Sequence, residues 1–204
     1  MNRIILIAIV CGFIAAPTMA DLYGFRSITN NNAANAATGE VQLSVDVTAT
    51  GINQVSFEFM NAGPLPSSIT DVYFDNGALL NMASIINGPG VDFEQYASPG
   101  NLPGGNGIDF ETTAGLSADS RPPTQPNGVN PGEWVKIIFD LQDGMNFGHV
   151  TSQLGTGELR IGIHVQGFAD GGSESFVNVV PAPAAVLFGM LGLGAAGVRL
   201  RRFV

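Results

Sequence analysis

The residues whose types and spacing suggest chemistry are carboxylates. Asp92 with Glu94, and Asp109 with Glu111, are i, i+2 pairs, so on a strand each pair projects from one face. Glycoside hydrolysis needs two carboxyls facing across a cleft, one of them held protonated. A solvated strand face produces the same alternation with no chemistry at all. Asp71, Asp75 and Asn76 lie near one expected strand end, and Asp140 with Asp143 near another. Calcium is the cation such oxygens would take. None of these spacings is that of a known calcium loop, and Asp75-Asn76-Gly77 has the composition of a hairpin turn. The two histidines, His149 and His164, have no HExxH or HxxEH spacing. His164 alternates with Ile163 and Val165, which places it on the outer face of its strand. Gly171-Gly172-Ser173-Glu174-Ser175 lacks the second glycine of a nucleophile elbow and reads as a loop. No catalytic constellation emerges, and the expectation is a chain without enzymatic activity and without a cofactor other than calcium.

The elements that must position these residues follow a period of two. Thr38–Thr48 sets Val41, Leu43, Val45 and Val47 on one face; Val55, Phe57 and Phe59 follow on the next strand. Ile137, Phe139 and Leu141 line the strand that starts near Trp134, and Leu159, Ile161, Ile163 and Val165 the one after it. Shorter strands are expected at Leu22–Ile28, Ile69–Phe74, Val91–Gln95, Ile108–Thr112 and Ser175–Val179, while Leu79–Ile86 fits either a strand or a helical turn. Asn146, then Phe147, Val150 and Leu154, then Gly155, reads as a short capped helix. Two stretches, Ser98–Gly107 and Gly115–Gly132, are too rich in Gly and Pro to be regular. About nine strands and one minor helix predict an all-β fold, a single jelly-roll-like β-sandwich over residues 21–179. No internal repeat argues for a solenoid or propeller.

The ends differ from this body. Residues 1–20 carry Arg3, an apolar run from Ile4 to Ile14, and Ala-Ala-Pro-Thr-Met-Ala, with Thr18 and Ala20 at −3 and −1 of a cut before Asp21. That is the layout a signal peptidase reads. The single cysteine, Cys11, falls within it after Val10, so a chain cut there holds no thiol and no disulfide. All 17 acidic residues lie between Asp21 and Glu174, against Arg26, Arg121, Lys136 and Arg160, a balance of −13. Such a body repels nucleic acid and anionic lipid.

From Val180 the chain reads Val180-Pro181-Ala182-Pro183, an uncharged stretch from Ala184 to Val198, and a cluster of Arg199, Arg201 and Arg202. As a helix, Ala184–Val198 would rise roughly 22 Å against a hydrocarbon core of about 30 Å, short for a permanent span. The arginines place the C-terminus on the cytoplasmic side. In this order, at residues 180–204, the segment resembles the PEP-CTERM sorting signal, with Ala182 where that family's motif has glutamate. The resemblance implies processing by an exosortase-type enzyme and a transient membrane anchor during delivery to the cell surface. Ser27-Ile28-Thr29-Asn30-Asn31 and the Leu159–Phe176 region also look like central domains attached to such tails. The expectation is therefore an exported surface or extracellular-matrix protein of a bacterium, with signal peptidase as a further partner and exopolysaccharide as a candidate one. The alternatives are a carbohydrate-binding module using Tyr96 or Trp134, unless Trp134 is core, and a polysaccharide hydrolase using Asp109 or Glu111.

Overall fold

The computed structural model describes residues 20–180. The expected signal peptide up to its last residue, Pro181, Ala182, Pro183, and Arg199, Arg201 and Arg202 lie outside the described residues. Among the described residues no helix is long and apolar enough to cross a membrane.

The chain is mostly β. Ten antiparallel strands form one sheet curled into a nearly closed barrel, in the order β5-β8-β3-β2-β1-β10-β9-β4-β7-β6. They are β1 (Ala20–Ser27), β2 (Leu43–Gly51), β3 (Gln54–Asn61), β4 (Ser68–Asp75), β5 (Leu79–Asn87), β6 (Phe93–Gln95), β7 (Ser117–Ser120), β8 (Trp134–Leu141), β9 (Arg160–Gln166) and β10 (Glu174–Asn178). β1 joins the two halves of the sheet. Its first residues, Ala20–Gly24, pair with β2, and its last, Phe25–Ser27, pair with β10. Strands that change partner in this way turn the corners of closed sheets. The two outermost strands meet at one point, where the Asn87 amide donates to the Phe93 carbonyl (3.3 Å) and accepts from the Phe93 N–H (3.0 Å).

The alternation of the sequence supplies the core. Val45, Val47, Val55, Phe57, Phe59, Ile137, Phe139, Leu159, Ile161, Ile163 and Val165 are all fully buried. Phe74 of β4 packs edge-on against Phe57 and Phe139 of the opposite half, with centroids 5.0 and 4.6 Å apart. Each such pair contributes about 0.5–1.5 kcal/mol beyond the area it buries.

Helices plug the two ends. α1 (Ala33–Gln42) lies at the end where β1 finishes, and Asn32 caps it by accepting from Ala34 and Asn35 N–H. A Cβ at Gly39 would overlap the Phe176 ring, so this glycine lets the helix reach the core. α3 (Phe147–Thr156) seals the opposite end with Val150 and Leu154. A four-residue turn, α2 (Thr124–Asn127), and a 3-10 turn at Gly105–Ile108 complete the regular structure.

Several expectations are corrected. Thr38–Gln42 belongs to α1 rather than to a strand, and Val41 is 88% exposed. The alanine-rich run behind an Asn cap outweighs the alternation that continues through it. Ile108–Thr112 is not a strand: the 3-10 turn ends in a left-handed Asp109 (φ 51°). The ambiguous Leu79–Ile86 is a strand whose two bulges hide its period. Asp75-Asn76-Gly77 is not a hairpin turn. Asn76 and Gly77 have positive φ, but β4 and β5 lie in opposite halves of the sheet, and the turn carries the chain between them. The helix over 146–155 is present, ending at Gly157 in place of Gly155.

Candidate functional site

The polar residues converge on the outer face of the second half of the sheet. Strand register sets Glu94 opposite Asp119, Asp119 opposite Asp71, Asp71 opposite His164, and His164 opposite Ser175. One row of titratable and hydroxyl side chains thus crosses five strands. A bulge between Ile69 and Asp71 turns Thr70 so that its hydroxyl donates to Asp71 Oδ2 at 2.8 Å.

This face is covered. The segment from Tyr96 to Glu111 folds over it, and Ala97, Leu102 and Phe110 pack on Tyr73 to make a second small core. Gly162 makes room: a Cβ there would lie 2.6 Å from Leu102 Cδ2 and 3.0 Å from the Phe110 ring. The Tyr73 hydroxyl donates to the Pro99 carbonyl at 3.0 Å. Arg160 holds the far side of the cover, with its guanidinium over the Phe110 ring (5.2 Å) and bonded to the carbonyls of Ile108 (2.8 Å) and Asp109 and to Asp75.

Burial sets the electrostatics of the row. It pushes the Asp71 carboxyl up to about 7, with Thr70 opposing the shift and neighbouring Asp119 adding to it. Asp119 is raised by the same burial, against the Ser98 backbone amide and the bond to Asp71. The contact between the two carboxyls adds to the rise at Asp71 and opposes it at Asp119. The Tyr73 hydroxyl is pushed up by burial and then by Asp71. His164 is lowered by burial, against the pull of Glu174. Its Nδ1 lies 3.1 Å from Ser175 Oγ. A Ser–His pair beside an aspartate has the composition of a nucleophile relay, but Ser175 is fully buried.

Asp109 and Glu111 lie at the rim of the cover and line a cavity of about 420 Å³ together with Asn101, Asn106 and Phe110. Glu111 also borders a neighbouring cavity of about 360 Å³ beside Asp75 and Asn76. Two carboxylates and two amides on a concave loop surface offer hydrogen bonds to a polyhydroxylated ligand.

Comparison of the chain with protein-family models, with curated proteins and with solved structures finds no match to any of them.

The other sequence candidates have partners of their own. Asp92 and Glu94 share one cation: Arg121 lies 3.6 Å from the first and 2.9 Å from the second. The calcium candidates do not gather. Asp71 is bonded to Asp119, and Asp75 to Arg160. Asp140, across the barrel, accepts from Gln54 and Asn81, and exposed Asp143 lies beyond the end of β8. Among the described residues no three His, Cys, Asp or Glu side chains are grouped to hold a metal ion. His149 completes the cap of α3, its Nδ1 accepting from Asn146 N–H at 3.2 Å. Glu174 is buried and accepts from the Thr29 hydroxyl (2.5 Å) and from Asn31 and Asn32 N–H (2.9 and 2.6 Å). This carboxylate ties the segment after β1 to the start of β10, so the stretch expected as a loop over Gly171–Ser175 is a strand from Glu174 onward. Trp134 is half-buried against Gly88, 6.0 Å from Lys136 Nζ. Tyr96 is 67% exposed, with a positive φ of 76°.

Sequence reasoning missed Asp119, Tyr73 and Arg160 as site residues. Asp119 lies in a stretch read as irregular, and its partner is 48 positions away, so only the β4–β7 register brings them together. Arg160 carried a signal: it is one of only four basic residues in an acidic body, and it opens a strand whose alternate positions are apolar.

Proposed function

We propose that this chain is an exported, non-enzymatic surface or extracellular-matrix protein of a bacterium. Its tail, residues 180–204 with Val180-Pro181-Ala182-Pro183 at its start, is the sorting signal handled by an exosortase-type enzyme. The ten-stranded domain, read as a jelly-roll-like sandwich, is the part displayed. One observation supports this reading above the rest: the last strand of the domain is paired to its first. β1 begins at Ala20 and β10 ends at Asn178, and Val179 N–H donates to the Gly24 carbonyl at 2.9 Å. A leader joined to β1 and a tail joined to β10 are attached to neighbouring strands, which lets both engage one membrane while the domain folds on its outer side. The engagement of Asp71, Asp75, Asp92, Glu94 and Glu174 by internal partners favours an interaction role over catalysis. Intact-mass measurement of the protein from its native surface tests the reading. A start at Asp21 and an end near Pro181–Pro183 is the expected result; retention of Arg201 and Arg202 would identify an ordinary anchor.

The second reading is a carbohydrate-binding module, and Tyr96 favours it. An exposed aromatic held in the left-handed region is a strained feature of the kind that gathers at binding sites. A glycan array with no hits removes this reading.

A further inference from the structure

The positive charge of the domain is unevenly placed. Arg121 is engaged by Asp92 and Glu94, and Lys136 by Glu58 at 2.8 Å. The other two basic residues, Arg26 and Arg160, line a single cavity of about 270 Å³ between β1, β9 and β10, at the end where the tail leaves. Its remaining walls are apolar: Ile28, Ile108, Val177, Val179 and Val180, with Asn178 at the strand end. Arg160 is a fixed wall, its Nη atoms holding Asp75 and the Ile108 and Asp109 carbonyls. Arg26 is exposed and forms no ion pair among the described residues. Asn178 Nδ2 is buried without a hydrogen-bond partner, while its Oδ1 accepts from Ile161 N–H at 2.7 Å.

We propose that this cavity binds a small carboxylate ligand with an aliphatic body. The charge of Arg26, alone unpaired in a body with a balance of −13, selects an anionic group, and a guanidinium engages a planar carboxylate through two parallel hydrogen bonds. The walls select the rest of the ligand: apolar side chains on several sides take methyl and methylene groups out of water. The volume lies just under the roughly 300–1,000 Å³ usual for drug-sized ligands, which limits the occupant to about the size of one residue. Asp75 and the backbone carbonyls on the other side of Arg160 leave Arg26 as the residue that decides charge selectivity.

The test titrates the full chain, in a neutral detergent, with 4-methylpentanoate, 4-methylpentanamide and D-glucuronate, and reads the backbone amide resonances of Arg26 and Val177–Val180. Saturable shifts with 4-methylpentanoate, and none with its amide, are the expected result. Arg26→Gln should weaken binding by about tenfold or more, as loss of a charge-assisted contact does, with Arg26→Lys between the two. Arg26 is exposed and unpaired, so these variants fold. Equal shifts with the amide, unmoved resonances with the acid, or unchanged affinity in Arg26→Gln would overturn the proposal. Binding of glucuronate alone would overturn the aliphatic assignment in favour of a sugar acid.

Discussion

The two outer faces of the barrel are built from the same residue types and behave oppositely. On the first half, β3 and β8 face solvent with Glu58 paired to Lys136 and with Asp140 accepting from Gln54 and Asn81. Those amides, Gln54 first, hold the Asp140 carboxyl below its usual range. On the second half, the cross-strand row of Asp119, Asp71 and His164 lies beneath the segment Tyr96–Glu111, and burial pushes Asp71 up. Both sets of carboxylates occur in the same kind of alternating strand. The difference lies in what covers the strand, so environment, not pattern, decides whether an aspartate titrates below or above its usual range.

The largest effect should come from removing the cover. Phe110→Ala deletes a ring that is 3% exposed and should cost about 3 kcal/mol, the lower end for buried phenylalanine, measured by denaturant unfolding. The same variant should bring the Asp71 titration down toward that of Asp140, followed by carboxyl NMR. An Asp71 titration left unchanged would mean that the cover does not set it.

Asp71→Asn addresses the row directly. Burial raises Asp71 above its unfolded value of 3.8, so the folded state holds that proton more tightly than the unfolded chain does. The stability this supplies is present at acid pH and is lost as pH rises from 3.8 through about 7. The amide needs no proton, so the variant should match the parent near the acid end and exceed it by roughly 2 kcal/mol above neutrality. Thermal melts at several pH values check this; a parent that gains stability toward alkaline pH would contradict it. For Asp140 the sign is reversed, since its lowered carboxyl supplies stability that is lost as pH falls.

The smallest effect belongs to the open face. Lys136→Gln removes a 2.8 Å ion pair whose side chains are 32% and 28% exposed, and should cost less than about 1 kcal/mol, diminishing with added salt. A cost comparable to that of Phe110→Ala would erase the distinction between the faces.

The core was legible in the sequence because one physical rule produced it. Val55, Phe57 and Phe59, and Ile137, Phe139 and Leu141, are buried where alternation places them. The rule fails where something other than a half-buried strand shapes the chain. Val41 continues the alternation into a helix, and the bulges of β5 break it inside a strand. The covered row was not legible, since it depends on register between strands distant in sequence and on Gly162 admitting Leu102 and Phe110. A lone glycine within a strand is the one hint the sequence holds of such a close approach.

The shared strand β1 also constrains the order in which the fold can form. Its first five residues find their partner in β2, about two dozen positions on, whereas Phe25–Ser27 wait for Phe176–Asn178, some 150 positions later. Loop closure over that distance comes late, after local hairpins such as β2–β3 have formed. The barrel is therefore a clasp whose last tooth is made almost at the end of the domain. A chain crossing a membrane N-terminus first would shut it only as the tail arrives.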